Sequence, residues 1–193
     1  MELTHAAPPK RLSPREYLTL CVTSYKAHWK QYTLPLLVVI VLSTMFRIDV
    51  NYTESLPNHV FLTIKGYKDV HPGNYVTYEF PSEHPYSPFR KGDHMVKIVA
   101  GEEGDEVRMS QDRHFSIFQK GESQLFAALG GQFVGTAKEV SRANKPLEAG
   151  PTGVIPKDHF YMQAPHADSL DSRYAMVGFV PRDRIIGITF PLF

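Results

Sequence analysis

Hydrophobic residues follow two different patterns along the chain. Between Tyr32 and Phe46 they form a run of fifteen residues without a charged side chain, YTLPLLVVIVLSTMF. After this run they alternate with polar residues in short segments bounded by Gly, Pro, Asn and Asp, and such alternation is typical of β-strands. The pattern predicts an N-terminal helical segment followed by a mostly β domain.

Short alternating segments supply the strand predictions for that domain, and turn signals such as HPGN at residues 71–74 separate them. A short helix is also expected around Ser123–Leu129. The predicted strands are His59–Lys65, Tyr75–Phe80, His94–Ala100, Glu106–Met109, His114–Phe118, Phe160–Gln163, Met176–Val180 and Ile185–Phe190.

The uncharged run at residues 32–46 admits three interpretations. A buried core helix is normally amphipathic, whereas this run is apolar all round. A cleaved signal peptide has small residues at its cleavage site, and STMFR at residues 43–47 does not resemble one. A single transmembrane signal anchor fits best, although fifteen residues are fewer than the roughly 20 that a crossing usually needs.

Charge is distributed unevenly on the two sides of this run. Residues 1–31 carry five basic and two acidic side chains, or +3, whereas the remaining 162 residues carry sixteen basic and eighteen acidic ones, or −2. SPRE at residues 13–16 is typical of a helix N-terminus. By the positive-inside rule we expect residues 1–31 to be a cytoplasmic segment with a short helix, residues 32–46 to be the anchor, and residues 47–193 to be an exported β-rich domain.

Composition excludes several classes of function. A net charge of +1 argues against nucleic acid as a partner, because nucleic-acid-binding domains usually carry a basic face. The single cysteine, Cys21, excludes an intrachain disulfide framework and a cysteine-rich zinc site. The histidines do not show the helical H-E-x-x-H spacing. We therefore expect no metal and no cofactor.

Ser55 is a candidate nucleophile. It precedes Leu56-Pro57, and proline favours extended or turned backbone before it. Ser55 follows Phe46 by nine residues, so it lies within about 30 Å of the membrane face that the anchor predicts. Most serines in such triplets are ordinary loop residues.

Lys97 is a candidate base for this serine. It lies in an apolar predicted strand, where Met95 and Val99 share its face. Burial disfavours a charged amine and lowers its pKa, and a neutral lysine can accept a proton from serine. The alternative is a strand-edge lysine whose tip reaches water. Near the C-terminus, Arg173 is placed to hold a carboxylate in bidentate fashion, or simply to cap a turn.

The chain contains four segments, in order, which are SLP at 55–57, GNYV at 73–76, VKIVAGEEGD at 96–105 and SLDSRY at 169–174. Together they resemble the conserved segments of the type I signal peptidase superfamily of serine–lysine peptidases. SLP resembles the nucleophile segment, with Leu56 in place of the usual methionine, and GNYV resembles Gly-Asp-x-Val, with Asn74 in place of aspartate. The third segment resembles the lysine segment, and the fourth resembles S-x-D-S-R followed by Gly178.

Within the superfamily, the chain is less similar to the housekeeping signal peptidases than to a second branch. Housekeeping signal peptidases carry G-D-N-R-D-N before the last segment, whereas this chain has QAPHAD at residues 163–168. The Ser-Leu-Pro start, the single anchor and the small size resemble the conjugative-transfer pilin maturation peptidases of type IV secretion. That resemblance implies a single-pass protein of the bacterial inner membrane with a periplasmic catalytic domain. It also implies that the substrate is a pre-pilin or other exported precursor, which the enzyme cuts or, for a pilin, closes into a ring.

The resemblance also implies roles for individual residues. Ser55 would be the nucleophile and Lys97 the general base. The oxyanion hole would consist of the Ser55 N–H and the Thr53 hydroxyl. Ser169 would orient Lys97, while Asp171 and Arg173 would brace the site. Three other functions remain open, namely a housekeeping-type signal peptidase, an anchored assembly factor with an idle dyad, and a self-cleaving repressor, against which the anchor argues.

Overall fold

A computed structural model describes residues 12–121 and 130–193. The chain divides into two compact units, one ending at Thr44 and the other running from Met45 to Phe193. The expectations for residues 1–11 of the N-terminal segment and for the short helix around Ser123–Leu129 lie outside the described residues.

The N-terminal unit is built on one helix, α1 (Pro14–Met45), that bends at His28, whose backbone is non-helical with φ −125°. Its start has the predicted reciprocal cap, since the Ser13 N–H donates to Glu16 Oε2 at 2.7 Å and the Glu16 N–H donates to Ser13 Oγ at 3.3 Å. The short helix expected before residue 31 and the uncharged run are therefore continuous. Among the described residues, no helix has both the length and the apolar character needed for a membrane crossing.

The second unit is mostly β, as predicted, and its strands in the described residues are all antiparallel where they pair. A larger sheet has the order β1-β2-β11-β3-β4-β9-β10 and a smaller one the order β7-β6-β5-β8. The strands are β1 (Phe46–Val50), β2 (Val60–Lys65), β3 (Tyr75–Glu79), β4 (His94–Gly101), β5 (Glu106–Met109), β6 (His114–Phe118), β7 (Gln132–Thr136), β8 (Gly153–Val154), β9 (His159–Gln163), β10 (Val180–Pro181) and β11 (Ile185–Pro191).

Seven of the eight predicted strands are observed with small shifts of their ends, and the strand predicted at Met176–Val180 is wrong for most of its length. The N–H groups of Val177 and Gly178 both donate to the Tyr174 carbonyl, so this segment closes a turn, and the strand pairing begins only at Val180. The sequence analysis missed β1, β7 and β8. β1 follows the helix without a turn, β8 has only two residues, and β7 has two adjacent apolar residues, Phe133 and Val134, in place of an alternating pattern.

Two hydrophobic clusters hold the second unit together. The larger joins the two sheets through residues such as Tyr78, Phe115 and Tyr161, which are fully buried. The smaller one consists of Leu56, Phe61 and Ala164. Because Leu56 follows Ser55 directly, this small cluster fixes the loop that carries the candidate nucleophile.

Candidate active site

The loop between β1 and β2 holds Ser55 in a buried position. The Asn51 N–H donates to the His59 carbonyl at 2.7 Å and so closes the base of the loop. Leu56 anchors the tip, and Ser55 itself is only 6% exposed. Its Oγ lies 2.8 Å from the Oγ1 of Thr53. Burial of a serine in a loop this close to a strand end shows that it is not an ordinary solvated loop residue.

Lys97 lies on the inward face of β4, between Met95 and Val99, and is 3% exposed. The alternative of a strand-edge lysine reaching water is therefore wrong. The pKa of Lys97 is lowered from 10.5 to about 8, mainly by burial and to a smaller extent by nearby Arg173, while Asp171 opposes the shift. A substantial fraction of this amine is thus neutral close to physiological pH.

The Lys97 amine is held by the segment before β10. Its Nζ donates to the Oγ of Ser169 at 2.9 Å. Ser169 is buried as well, and its own N–H donates to the His166 carbonyl. This bond fixes the direction of the amine, which leaves the lone pair of the neutral form free to accept a proton.

Asp171 and Arg173 form a buried ion pair behind this segment. Two donors of the guanidinium reach separate carboxylate oxygens, each at 2.8 Å, in the predicted bidentate arrangement. Arg173 also donates to the carbonyls of Thr136 and His166. A glycine is required at position 135, since its φ is +137° and a Cβ there would lie 2.5 Å from the guanidinium. The pair thus ties the segment with Ser169 to β7 of the smaller sheet.

A cavity of about 800 Å³ brings the candidate residues together. Thr53, Ser55, Lys97 and Ser169 all line it, whereas Asp171 and Arg173 lie outside its lining. The opening is partly apolar, with Tyr86, Val140 and Leu170 among its walls. A hydroxyl and a low-pKa amine in one partly apolar cavity are suited to acyl transfer on a peptide.

Ser55 and Lys97 each hold a different partner within this cavity. The serine is paired with Thr53 and the lysine with Ser169. For Ser55 to pass its proton to Lys97, its hydroxyl must break the hydrogen bond with Thr53 and form one to the Lys97 amine. Catalytic hydrogen bonds often form only once substrate is bound, so this resting arrangement is compatible with a serine–lysine pair.

Two features of the cavity were missed by the sequence analysis. Asn51 accepts hydrogen bonds from both the N–H and the hydroxyl of Thr53. Asp168 is bound by Lys138 and by Arg142, and all three residues line the cavity. The Asn-x-Thr spacing carried a signal for the first, because asparagine commonly caps the backbone two residues on. The second joins residues far apart in sequence, and no local pattern predicts it.

Comparison with known proteins gives a family match and a structural similarity. No curated protein matches the chain. A crystal structure of a signal peptidase I from Enterococcus faecalis matches with a TM-score of 0.35 and 21% identity, covering 64% of this chain and 98% of that one. The family model described as signal peptidase, peptidase S26, matches residues 26–193, which is most of the chain. The chain therefore belongs to the signal peptidase S26 family and is a serine peptidase.

Proposed function

We propose that the protein is an endopeptidase that uses Ser55 as nucleophile and Lys97 as general base on exported precursors. The observation that carries the assignment is a buried lysine of lowered pKa in the same cavity as a buried serine. Two histidines, His94 and His166, also line the cavity. Burial lowers the pKa of His94, and the His166 Nδ1 accepts from the Asp168 N–H. A histidine base would give cleavage a pH midpoint at or below about 6.5, whereas Lys97 as the base gives one near 8.

The proposed reaction proceeds in two acyl-transfer steps. Neutral Lys97 takes the Ser55 proton as Oγ bonds to the scissile carbonyl carbon, and the resulting ammonium then protonates the leaving amine. The backbone N–H of Ser55 donates to the oxyanion, and one such donor contributes about 3 kcal/mol to the transition state. Water or a second amine then attacks the acyl-enzyme, with Lys97 again as the base, and releases Ser55.

Ser169, Asp171 and Arg173 act through Lys97 in this mechanism. Ser169 keeps the amine directed into the cavity, and the buried ion pair holds the segment on which Ser169 lies. Thr53 is the proposed second oxyanion donor. In the resting structure its hydroxyl donates to Asn51, so it must turn before it can serve the oxyanion.

We further propose that residues 32–46 anchor the chain in the inner membrane, with the second unit in the periplasm. The support is the uncharged run itself and the basic excess before it, together with a helix α1 in which no described residue is buried. Expression in a bacterium is expected to place the full chain in the membrane fraction, and protease added to spheroplasts is expected to digest the second unit. Recovery of intact chain in the soluble cytoplasm would contradict the proposal.

The proposed substrate is a pre-pilin of a conjugative type IV secretion system. The similarity of the SLP start to the pilin maturation branch supports this choice, as does the QAPHAD segment at residues 163–168, where housekeeping signal peptidases carry G-D-N-R-D-N. Co-expression with a pre-pilin is expected to yield a shortened pilin, and its intact mass distinguishes two outcomes. A product lighter by one water than the linear mature chain identifies ring closure by the pilin's own amine, and the linear mass identifies hydrolysis.

Control precursors separate the alternatives. A generic secretory precursor cleaved in place of the pre-pilin would favour a housekeeping signal peptidase. A pre-pilin matured equally well by a chain with Ser55→Ala would favour an assembly factor without peptidase activity of its own on this substrate.

A further inference from the structure

Residues 138–148 form a small hairpin beside the active-site cavity, which we call the flap. The Ser141 N–H donates to the Lys145 carbonyl at 2.8 Å, and the Leu147 N–H donates to the Glu139 carbonyl at 2.7 Å. The flap therefore carries backbone hydrogen bonds of its own, and these bonds allow it to move as one body.

The base of the flap is fixed, whereas the rest of it is held loosely. The Arg113 guanidinium donates to three carbonyls at the two ends of the hairpin, those of Ala137, Lys138 and Leu147. Among residues 138–148, all of which the structure describes, none is buried. A segment with few buried apolar contacts opens at a low cost in free energy.

Two ion pairs, which we call the latch, connect the flap to the segment that carries Ser169. Asp168 directly precedes Ser169 and accepts hydrogen bonds from Lys138 and from Arg142, the latter at 2.6 Å. These bonds lower the pKa of Asp168 from 3.8 to about 2, so the latch remains charged at neutral pH. Lys138 and Arg142 are exposed, and exposed ion pairs are weak and are screened by salt.

The flap forms part of the cavity wall. Val140 and Leu147 line the same cavity as Ser55 and Lys97. We propose, on the basis of the Ser55–Lys97 function above, that the flap is a movable clamp on the bound precursor peptide and that the latch to Asp168 holds it closed. Val140 is 49% exposed and offers apolar surface for the peptide to cover. In this role the flap contributes to binding and takes no part in proton transfer.

Removing the latch tests the proposal. In the full-length protein, Lys138→Gln combined with Arg142→Gln is expected to raise KM for a precursor peptide about fivefold and to keep kcat within about twofold of the parent, because the cavity loses a fixed wall. Asp168→Asn is expected to raise KM by a similar factor. All three changes together are expected to raise it no further, because both variants remove the same ion pairs. An unchanged KM in both variants, or additive effects, would overturn the proposal.

Salt supplies an independent measurement. With an uncharged peptide, raising the salt concentration from about 0.05 to about 0.5 M is expected to raise the parent's KM about threefold and to leave that of the latch-free variants nearly constant. Arg108→Gln combined with Lys157→Gln is the matched control, since it removes two exposed positive charges that do not line the cavity. This control is expected to keep the parent's KM and its salt dependence. Equal salt dependence in the parent and the latch-free variants would contradict the role of the latch.

A small serine-directed acylating reagent separates this inference from the function it rests on. The reagent needs the serine and the lysine but not the flap, so Ser55 is expected to be acylated in the latch-free variants within about twofold of the parent rate. A large loss of this acylation would show a general effect on the site and would overturn the clamp. If the reagent labels another residue in the parent, the assignment of the nucleophile has failed, and the clamp with it. If Ser55 is labelled and the latch-free variants keep the parent's KM for the peptide, only the role of the flap has failed.

Discussion

Replacing Lys97 by methionine is expected to abolish peptide cleavage and to make the protein more stable. Methionine has nearly the same length and fills the same apolar position between Met95 and Val99, but it cannot accept a proton. The drop in the pKa of Lys97 from 10.5 to about 8 corresponds to a folding penalty of roughly 3 kcal/mol at pH 7. Loss of the bond to Ser169 offsets about 1 kcal/mol of the gain.

The stability gain has a defined pH dependence. Below about pH 8 the lysine is charged in both the folded and the unfolded chain, so the full penalty applies. Between about 8 and 10.5 the folded form loses its proton first, and the penalty disappears. Denaturant unfolding at pH 7 is expected to show Lys97→Met to be more stable by about 2 kcal/mol, with the gap closing as pH rises towards 10.

An exposed lysine supplies the matched control. Lys91→Met is expected to change neither stability nor cleavage, because the side chain is solvated. If a folded Lys97→Met protein cleaves precursor at the parent rate, Lys97 is not the general base. A Lys97→Met protein that is less stable at every pH would show that the amine is well solvated after all.

Ser55→Ala is expected to reduce kcat by at least about 10⁴-fold, since loss of a serine nucleophile in other serine peptidases costs up to about 10⁶-fold. The change removes one buried oxygen and leaves Leu56 and its hydrophobic contacts in place, so the thermal midpoint is expected to change little. The measurement is single-turnover cleavage of a precursor peptide, with unfolding followed on the same samples.

Ser116→Ala is the control for this change. Ser116 lies on β6 in the smaller sheet, away from the cavity lining, and its alanine variant is expected to keep full activity. Residual activity of Ser55→Ala within tenfold of the parent would assign the nucleophile to another residue.

The sequence predicts those parts of the candidate site whose environment is set by residues close by in the chain. Lys97 could be placed on a buried face because Met95 and Val99 flank it two residues away on the same side of a strand. The ion pair of Asp171 and Arg173 spans two residues and needs little more than a turn. The local pattern left an alternative open for each, a strand-edge lysine and a capped turn, and the family resemblance favoured the buried lysine and the bracing pair, which are present in the structure.

Long-range relations were not predictable in the same way. Nothing local indicates that Lys138 and Arg142 meet Asp168 in the cavity lining. The same is true of the Asp49 carboxylate on β1, which receives hydrogen bonds from Thr63 on β2 and Thr77 on β3. β1 escaped prediction because it follows the uncharged run directly, with no turn residue before it. The partners of such residues depend on strand order, which a hydrophobic pattern does not specify.

The pH dependence of Ser55 acylation tests the central claim most directly. A precursor peptide or a serine-directed acylating reagent is mixed with the protein, the reaction is quenched at short times, and mass spectrometry locates the added acyl group. The account predicts an adduct on Ser55 whose rate rises with pH to a plateau with a midpoint near 8, and no adduct in Lys97→Met. An adduct on another residue, or a midpoint at or below about 6.5, as expected for a histidine base, would contradict it.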